Sequence, residues 1–261
     1  MDMQNGVVII TGSSSGVGAA CARQLAELGS HIAINYSRNE EGARKTQEEC
    51  EALDVETIVV QADVADDDQC RMLVDKTLDK WGRIDALINN AGTTKFNPHG
   101  NLDGLSKEDF LHIYSVNTVG PYQMTRAVVP AMKTGGCGSI VNVSSVAGVM
   151  GVGSSVAYAA SKGALITMTL SLARALGPEV RVNCVCPGFI QGDWLEKGLG
   201  EENYAAAKSR VEASSPLRVA SSPDQIAQGI LFFVTGADVV TGECLIMDGG
   251  SHLAQAGTVK R

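Results

Sequence analysis

Seven short apolar runs, separated by stretches of helical spacing, set what this chain can fold into. The runs are Val7–Ile10, His31–Tyr36, Thr57–Ala62, Ala86–Ile88, Ser139–Val143, Val180–Val185 and Glu243–Met247. Unbroken apolar runs of this length suit parallel strands covered on both faces. Between them the spacing predicts helices over 17–28, about 40–53, 66–81, from Ser106, from about Asn117 to Lys133, 158–176 and about 223–234. Strands alternating with helices across short connections give a parallel sheet with right-handed crossovers. Ligands in such sheets sit beyond the carboxyl ends of the strands, where strand order reverses.

Punctuation supports these boundaries. Gly29 can cap the first helix, and Gly177-Pro178 ends the long one. Ser106 with Asp109, and Ser222-Pro223-Asp224-Gln225, read as capping boxes. Asp66-Asp67-Asp68 resembles metal bait, but three carboxylates at a helix start are more simply partners of its dipole. The 261 residues are 44% hydrophobic with no linker of Pro, Ser or Gly, which suggests one compact domain over 1–250 and a loose polar tail over 251–261.

The net charge of −8 argues against nucleic acid or an anionic membrane as a partner, since both need basic patches. Seven scattered cysteines with no Cys-x-x-Cys pair read as small buried hydrophobes in a reducing compartment, rather than as a metal site. Cys184 and Cys186, two apart in a strand, point to one face. The four histidines have no ligand spacing, so no metal is expected. The first residues lack the basic and apolar regions of a signal peptide, and no run is expected to span a membrane. Together these readings make the cytoplasm the expected location.

Chemistry enters at Thr11-Gly12-Ser13-Ser14-Ser15-Gly16-Val17-Gly18, between the first strand and the first helix. Glycines there let the backbone approach a pyrophosphate, and the helix N-terminus supplies amide hydrogens. The spacing G-x-x-x-G-x-G departs from G-x-G-x-x-G, and no P-loop lysine is present. A ligand-free glycine turn is the plainer alternative. Where an acidic residue would grip a ribose 2′-hydroxyl, the second strand ends in Asn35-Tyr36-Ser37-Arg38. Arg38 suits a 2′-phosphate and Ser37 could add a hydrogen bond, so NADP(H) is expected over NAD(H). Arg38 as a mere solvated loop charge is the alternative. Tyr158 and Lys162, four apart, share a helix face just after Ser144-Ser145 close the fifth strand.

With these motifs come Asp63-Val64, Asn89-Asn90-Ala91-Gly92, Asn117, Pro187-Gly188 and Asp248-Gly249-Gly250, in that order along nearly the whole chain. The set resembles the short-chain dehydrogenase/reductase family, with 3-oxoacyl-acyl-carrier-protein reductases nearest in feel. The resemblance implies a single-domain Rossmann-type doubly wound parallel α/β sheet of about seven strands, with helices on both faces. It implies hydride transfer between NADP(H) and a carbonyl or secondary alcohol. Tyr158 would be the acid/base, Lys162 would lower its pKa, Ser145 would polarise the substrate, and Asn117 would anchor a water-linked proton relay. Gly12, Ser14, Ser15, Gly16, Val17, Gly18, Ser37, Arg38, Asp63, Val64, Asn90, Ala91, Gly92, Tyr158, Lys162, Pro187, Gly188 and Ile190 would line the cofactor cleft.

The segment of about 190–215 is the expected substrate lid; its Trp194, Leu195, Leu199 and Tyr204 either line a pocket or pack the lid. The substrate is expected to be a small carbonyl or alcohol compound with an apolar part. The family pattern also implies a homotetramer or homodimer, with Phe232, Phe233 and the last strand forming an interface or only covering the core. A carrier-bound 3-oxoacyl substrate is an alternative; so is a non-catalytic NADP(H)-sensing module. A nucleotide-sugar epimerase would need a larger C-terminal domain than this chain has room for.

Overall fold

A computed structural model describes residues 1–254. Seven strands form one sheet: β1 (Val7–Ile10), β2 (His31–Tyr36), β3 (Thr57–Gln61), β4 (Ala86–Asn89), β5 (Gly138–Val143), β6 (Val180–Pro187) and β7 (Cys244–Met247). Their order is β3-β2-β1-β4-β5-β6-β7 and all neighbours run parallel. The order reverses between β1 and β4, so the loops leaving these two strands diverge and open a cleft at their carboxyl ends.

The helices are α1 (Gly16–Glu27), α2 (Glu40–Glu51), α3 (Asp67–Trp81), α4 (Lys107–Tyr114), α5 (Gly120–Thr134), α6 (Val146–Met150), α7 (Val156–Leu176), α8 (Asp193–Leu199), α9 (Glu201–Ser214) and α10 (Pro223–Thr235). Strand side chains alternate between two cores. Val8, Ile10, Ile32, Ile34 and Ile88 meet α1 and α10 on one face. Ile9, Ala33, Leu87, Ile140 and Val182 meet α3, α5 and α7 on the other. Both faces are therefore dry, which is why the strands read as unbroken apolar runs. Both expected capping boxes form, at Ser106/Asp109 and Ser222/Gln225, and Asp66 caps α3 through the amides of Asp68 and Gln69.

Three expectations need correction. The helices predicted from Ser106 and from Asn117 are one continuous run, because a π-helical turn over Ser115–Val119 joins α4 to α5. Sequence spacing suggests a break there because the extra residue shifts the helical phase. Second, α7 does meet the length and hydropathy of a membrane span, with an 18-residue window at mean hydropathy 1.2. It is a core helix instead: it packs on β6 and buries Ala157, Leu165, Thr169 and Ala173. Third, the start of the tail is ordered. Ser251–Leu253 form a 3₁₀ turn, and the Asp248 carboxylate accepts hydrogen bonds from the amides of Gly250 and His252. The remainder of the expected tail, 255–261, lies outside the described residues. The two phenylalanines of α10 divide their roles: Phe233 is buried in the core, whereas Phe232 is half exposed.

Candidate active site

The β1–α1 loop is held open by a polar brace. Gly12 turns with φ of +64°, a left-handed conformation that favours glycine. Its amide donates to Asn35 Oδ1 at 3.1 Å, and Asn35 Nδ2 donates to the Ala62 carbonyl at 3.0 Å. From β4, Asn90 Nδ2 donates to the carbonyls of Thr11 and Gly12, both at 3.0 Å, while Thr11 Oγ1 accepts from the amides of Asn90 and Ala91. Ser15 is the N-cap of α1 in extended conformation, with its side chain free of the cap. Ser14, Ser15 and Gly16 are thus left along the outer edge of the loop, while Val17 and Gly18 are buried beneath it. A Cβ on Gly18 would stand 2.6 Å from Asn90 Nδ2 and 2.6 Å from the Gly12 carbonyl. Because backbone forms half of that collision, Gly18→Ala is expected to destabilise the protein by about 1–3 kcal/mol. A urea-unfolding midpoint would register it.

Ser37 and Arg38 are exposed where β2 ends. The start of α2 abuts the loop, since a Cβ on Gly42 would collide with the Ser14 carbonyl. Arg38 makes no ion pair or side-chain hydrogen bond with any described residue. Asp63 is also exposed, whereas Val64 is buried and packs against Gly120 at the start of α5.

Across the cleft, Tyr158 and Lys162 project from the first turns of α7, whose start is capped by Ser155 Oγ accepting from the Tyr158 amide. Lys162 is buried and its Nζ donates to the Val143 carbonyl at 2.7 Å. The ammonium lies 5.7 Å from the centroid of the Tyr158 ring. Ser144 and Ser145 face apart. Ser144 Oγ donates into the core, to the Lys162 carbonyl at 2.8 Å. Ser145 caps α6 by accepting from the Ala147 amide, and its hydroxyl lies 3.4 Å from the Pro187 carbonyl. Asn117, buried in the π turn, clasps the Thr93 backbone: Oδ1 accepts from its amide at 2.8 Å and Nδ2 donates to its carbonyl at 2.9 Å. A Cβ on Gly92 would lie 3.6 Å from both Asn117 Oδ1 and Lys162 Nζ. The two groups therefore face one small space beside Gly92.

Burial sets the electrostatics of this pair. It pushes the Tyr158 phenol up to about 12, with the neighbouring Ser145 hydroxyl pulling the other way. It also brings Lys162 down from its ordinary 10.5 to about 8, weakly opposed by the Cys184 and Cys186 thiols. The expected lowering of the phenol by its lysine is thus not what the protein alone produces. Desolvation disfavours both charged forms, and the ammonium is committed to a backbone carbonyl rather than to the phenol oxygen.

Pro187 ends β6, and Gly188 presses against Asp248, which a Cβ there would strike at 2.6 Å. Ile190 bridges to Ser221. The expected lid is the helix pair α8 and α9. Its Trp194 ring lies 6.1 Å from the Tyr158 ring and 5.8 Å from Phe96, while Tyr204 packs on Phe189 at 5.5 Å. Trp194 thus reaches the site and Tyr204 secures the lid. Sequence reasoning names Thr11 and Asn35 without their bracing role and misses Phe96. Asn35 carries a signal: a polar amide within an apolar strand must find partners when buried. Phe96 carries none, because it sits in an irregular segment. Among the described residues, no three His, Cys, Asp or Glu side chains gather as a metal would require.

Comparison with known proteins agrees with this architecture. Residues 12–252 match the family model described as enoyl-(acyl carrier protein) reductase. The 3-oxoacyl-[acyl-carrier-protein] reductase FabG of Thermotoga maritima is 38% identical over 252 residues, 96% of this chain and 99% of the relative. A Burkholderia xenovorans protein assigned to the short-chain dehydrogenase/reductases is 40% identical, with a TM-score of 0.89 over 95% of this chain and 98% of its own. An NAD⁺-bound xylitol dehydrogenase superposes with a TM-score of 0.88 at 29% identity, covering 96% of this chain and 100% of its own.

Proposed function

As the chain belongs to the short-chain dehydrogenase/reductase family and is an oxidoreductase of the carbonyl/alcohol class with a nicotinamide cofactor, we propose that NADP(H) carries its hydride and that Tyr158 is its acid/base. The observation that carries this reading is the convergence of Tyr158, Ser145, Lys162 and Asn117 on the mouth of the β1/β4 cleft.

The residues present fit a dinucleotide. Gly12, Ser14, Ser15, Gly16, Val17 and Gly18 would hold the pyrophosphate, with the N-terminus of α1 beneath it. Ser37 and Arg38 would take the 2′-phosphate, Asp63 and Val64 the adenine, and Asn90, Ala91 and Gly92 the floor. Tyr158, Lys162, Pro187, Gly188 and Ile190 would surround the nicotinamide and its ribose. Once bound, the nicotinamide supplies the hydride and, when oxidised, a positive charge that favours the phenolate.

The chain's own groups handle the proton and the oxygen. In reduction, the Tyr158 hydroxyl donates its proton to the substrate oxygen as charge develops there. Ser145 donates a hydrogen bond to the same oxygen and steadies the alkoxide. Lys162 then refills the phenol through the space that it shares with Asn117, which we take as the anchor of a water-linked relay.

The reading is tested by following NADPH consumption against a panel of ketones and aldehydes. Failure of every carbonyl, with NADPH nonetheless bound, would favour the NADP(H)-sensing alternative. Arg38→Ala is expected to raise KM for NADPH about tenfold to a hundredfold while leaving KM for NADH unchanged, the loss of a charge-assisted contact. A wild-type preference for NADH would refute the choice of cofactor.

The similarity to a 3-oxoacyl carrier reductase keeps a carrier-bound substrate as the second reading. Against it, an acidic carrier needs cations near the site, and Lys133, which precedes β5, is already paired with Glu179 at 3.8 Å. Self-association as a homotetramer or homodimer is supported by half-exposed Phe232 and by β7, whose outer edge is unpaired among the described residues.

A further inference from the structure

We propose that Trp194 and Phe96 are specificity-determining residues that select neutral carbonyl compounds bearing a flat cyclic apolar group. The inference rests on the reading of Tyr158 as the acid/base and names the substrate class of that site.

The lid that carries Trp194 has almost no core of its own: neither α8 nor α9 buries a single residue. Trp194 is 48% exposed, so packing does not account for the largest side chain at that place. Its ring is tilted 43° to the Tyr158 ring and 52° to Phe96. One helical turn on, Gly198 lies flat against Phe96, and any Cβ there would strike the ring. Together the rings form an aromatic corner with Trp194 at its centre, one side of it the ring of Tyr158. Such faces gain most from a flat apolar partner, which stacks or meets them edge to face.

Polar and charged groups around the corner are already engaged. Thr94 Oγ1 and Ser154 Oγ are 2.7 Å apart and satisfy one another. Asn97 Nδ2 donates to the carbonyls of Pro98 and Asn101, and His99 Nε2 sits 3.2 Å from the Gly153 carbonyl. The lysines beside the two rings are paired: Lys95 with Asp109 at 2.6 Å, and Lys197 with Asp193 at 3.2 Å. A carboxylate or phosphate on the substrate would have to compete with a carboxylate already beside each lysine. What the corner offers is ring surface.

The test compares α-tetralone, a straight-chain methyl ketone of equal carbon number, and butanone, using the full chain with NADPH. Wild type is expected to favour α-tetralone over both. Trp194→Ala is expected to lower kcat/KM for α-tetralone roughly tenfold, mostly through KM, and to change that for butanone less than twofold, the difference that a lost aromatic contact makes. Trp194→Phe should restore most of the preference, and NADPH affinity and thermal midpoint should be unmoved in both variants. An equal fall for all three ketones, or a wild-type preference for the straight chain, overturns the inference and leaves Tyr158 in its role. Absence of turnover of any carbonyl, with NADPH unbound, overturns both.

Discussion

Tyr158→Phe is expected to bind NADPH as the wild type does and to lose roughly a thousandfold or more in kcat, the upper range for a positioned general acid. A thousandfold corresponds to about 4 kcal/mol of transition-state stabilisation. The substitution is well suited to the question because it leaves the ring in place. Its contact with the Trp194 ring survives, so lost activity would report the hydroxyl and not a collapsed site. The two directions should also respond differently to pH. With burial holding the phenol up to about 12, it stays protonated through neutrality. Ketone reduction, which needs the proton, should be flat there, whereas alcohol oxidation, which needs the phenolate, should climb with pH. Stopped-flow rates in both directions would measure this. Substantial reductase activity in Tyr158→Phe would remove the residue from its role.

Lys162→Met should give a protein that is both less active and more stable. The ammonium is buried, and its pKa falls from 10.5 to about 8 because desolvation penalises its charge. Keeping it charged at neutral pH therefore costs the fold about 3 kcal/mol. Met fills the same volume without charge. It leaves the Val143 carbonyl without its partner, which returns about 1–3 kcal/mol of that gain. A net stabilisation of up to about 2 kcal/mol at pH 7 is expected from the difference.

The sign follows from proton counts. Between pH 8 and 10.5 the unfolded chain keeps the Lys162 proton that the native state has released, so the stability of the wild type rises with pH. The advantage of Lys162→Met should accordingly shrink over that window and turn into a deficit above it, where only the lost hydrogen bond to Val143 remains. From pH 10 toward 12 Tyr158 acts in the opposite sense, because its phenol ionises first in the unfolded chain, and stability falls. Chemical denaturation at several pH values would follow both. A destabilised Lys162→Met at pH 7 would mean that the carbonyl bond outweighs the buried charge. A lysine that costs stability is what a functional group, rather than a structural one, looks like.

Much of the fold is legible in the chain's own pattern of residues. The strand runs lie within two residues of β1 to β7, because a parallel sheet dry on both faces demands unbroken apolar stretches. The capping boxes at Ser106 and Ser222 are local, and local signals survive folding. The join at Ser115–Val119 is hidden because a π turn changes helical phase without changing composition. Asn35 does not announce itself as the brace of Gly12, because its partners come from β1 and the end of β3.

The sequence by itself determined the sheet, its dry faces, the turn at Gly12–Gly18 and the residues that could carry the chemistry. Only the tertiary structure decided that Ser144 turns into the core toward the Lys162 carbonyl, that burial raises Tyr158 while lowering Lys162, and that Trp194 and Phe96 meet beside them. The reason is physical. Periodicity and turn chemistry encode which way a residue points along its own element. Distances, desolvation and ring contacts between elements depend on how those elements pack, and no single segment carries that information.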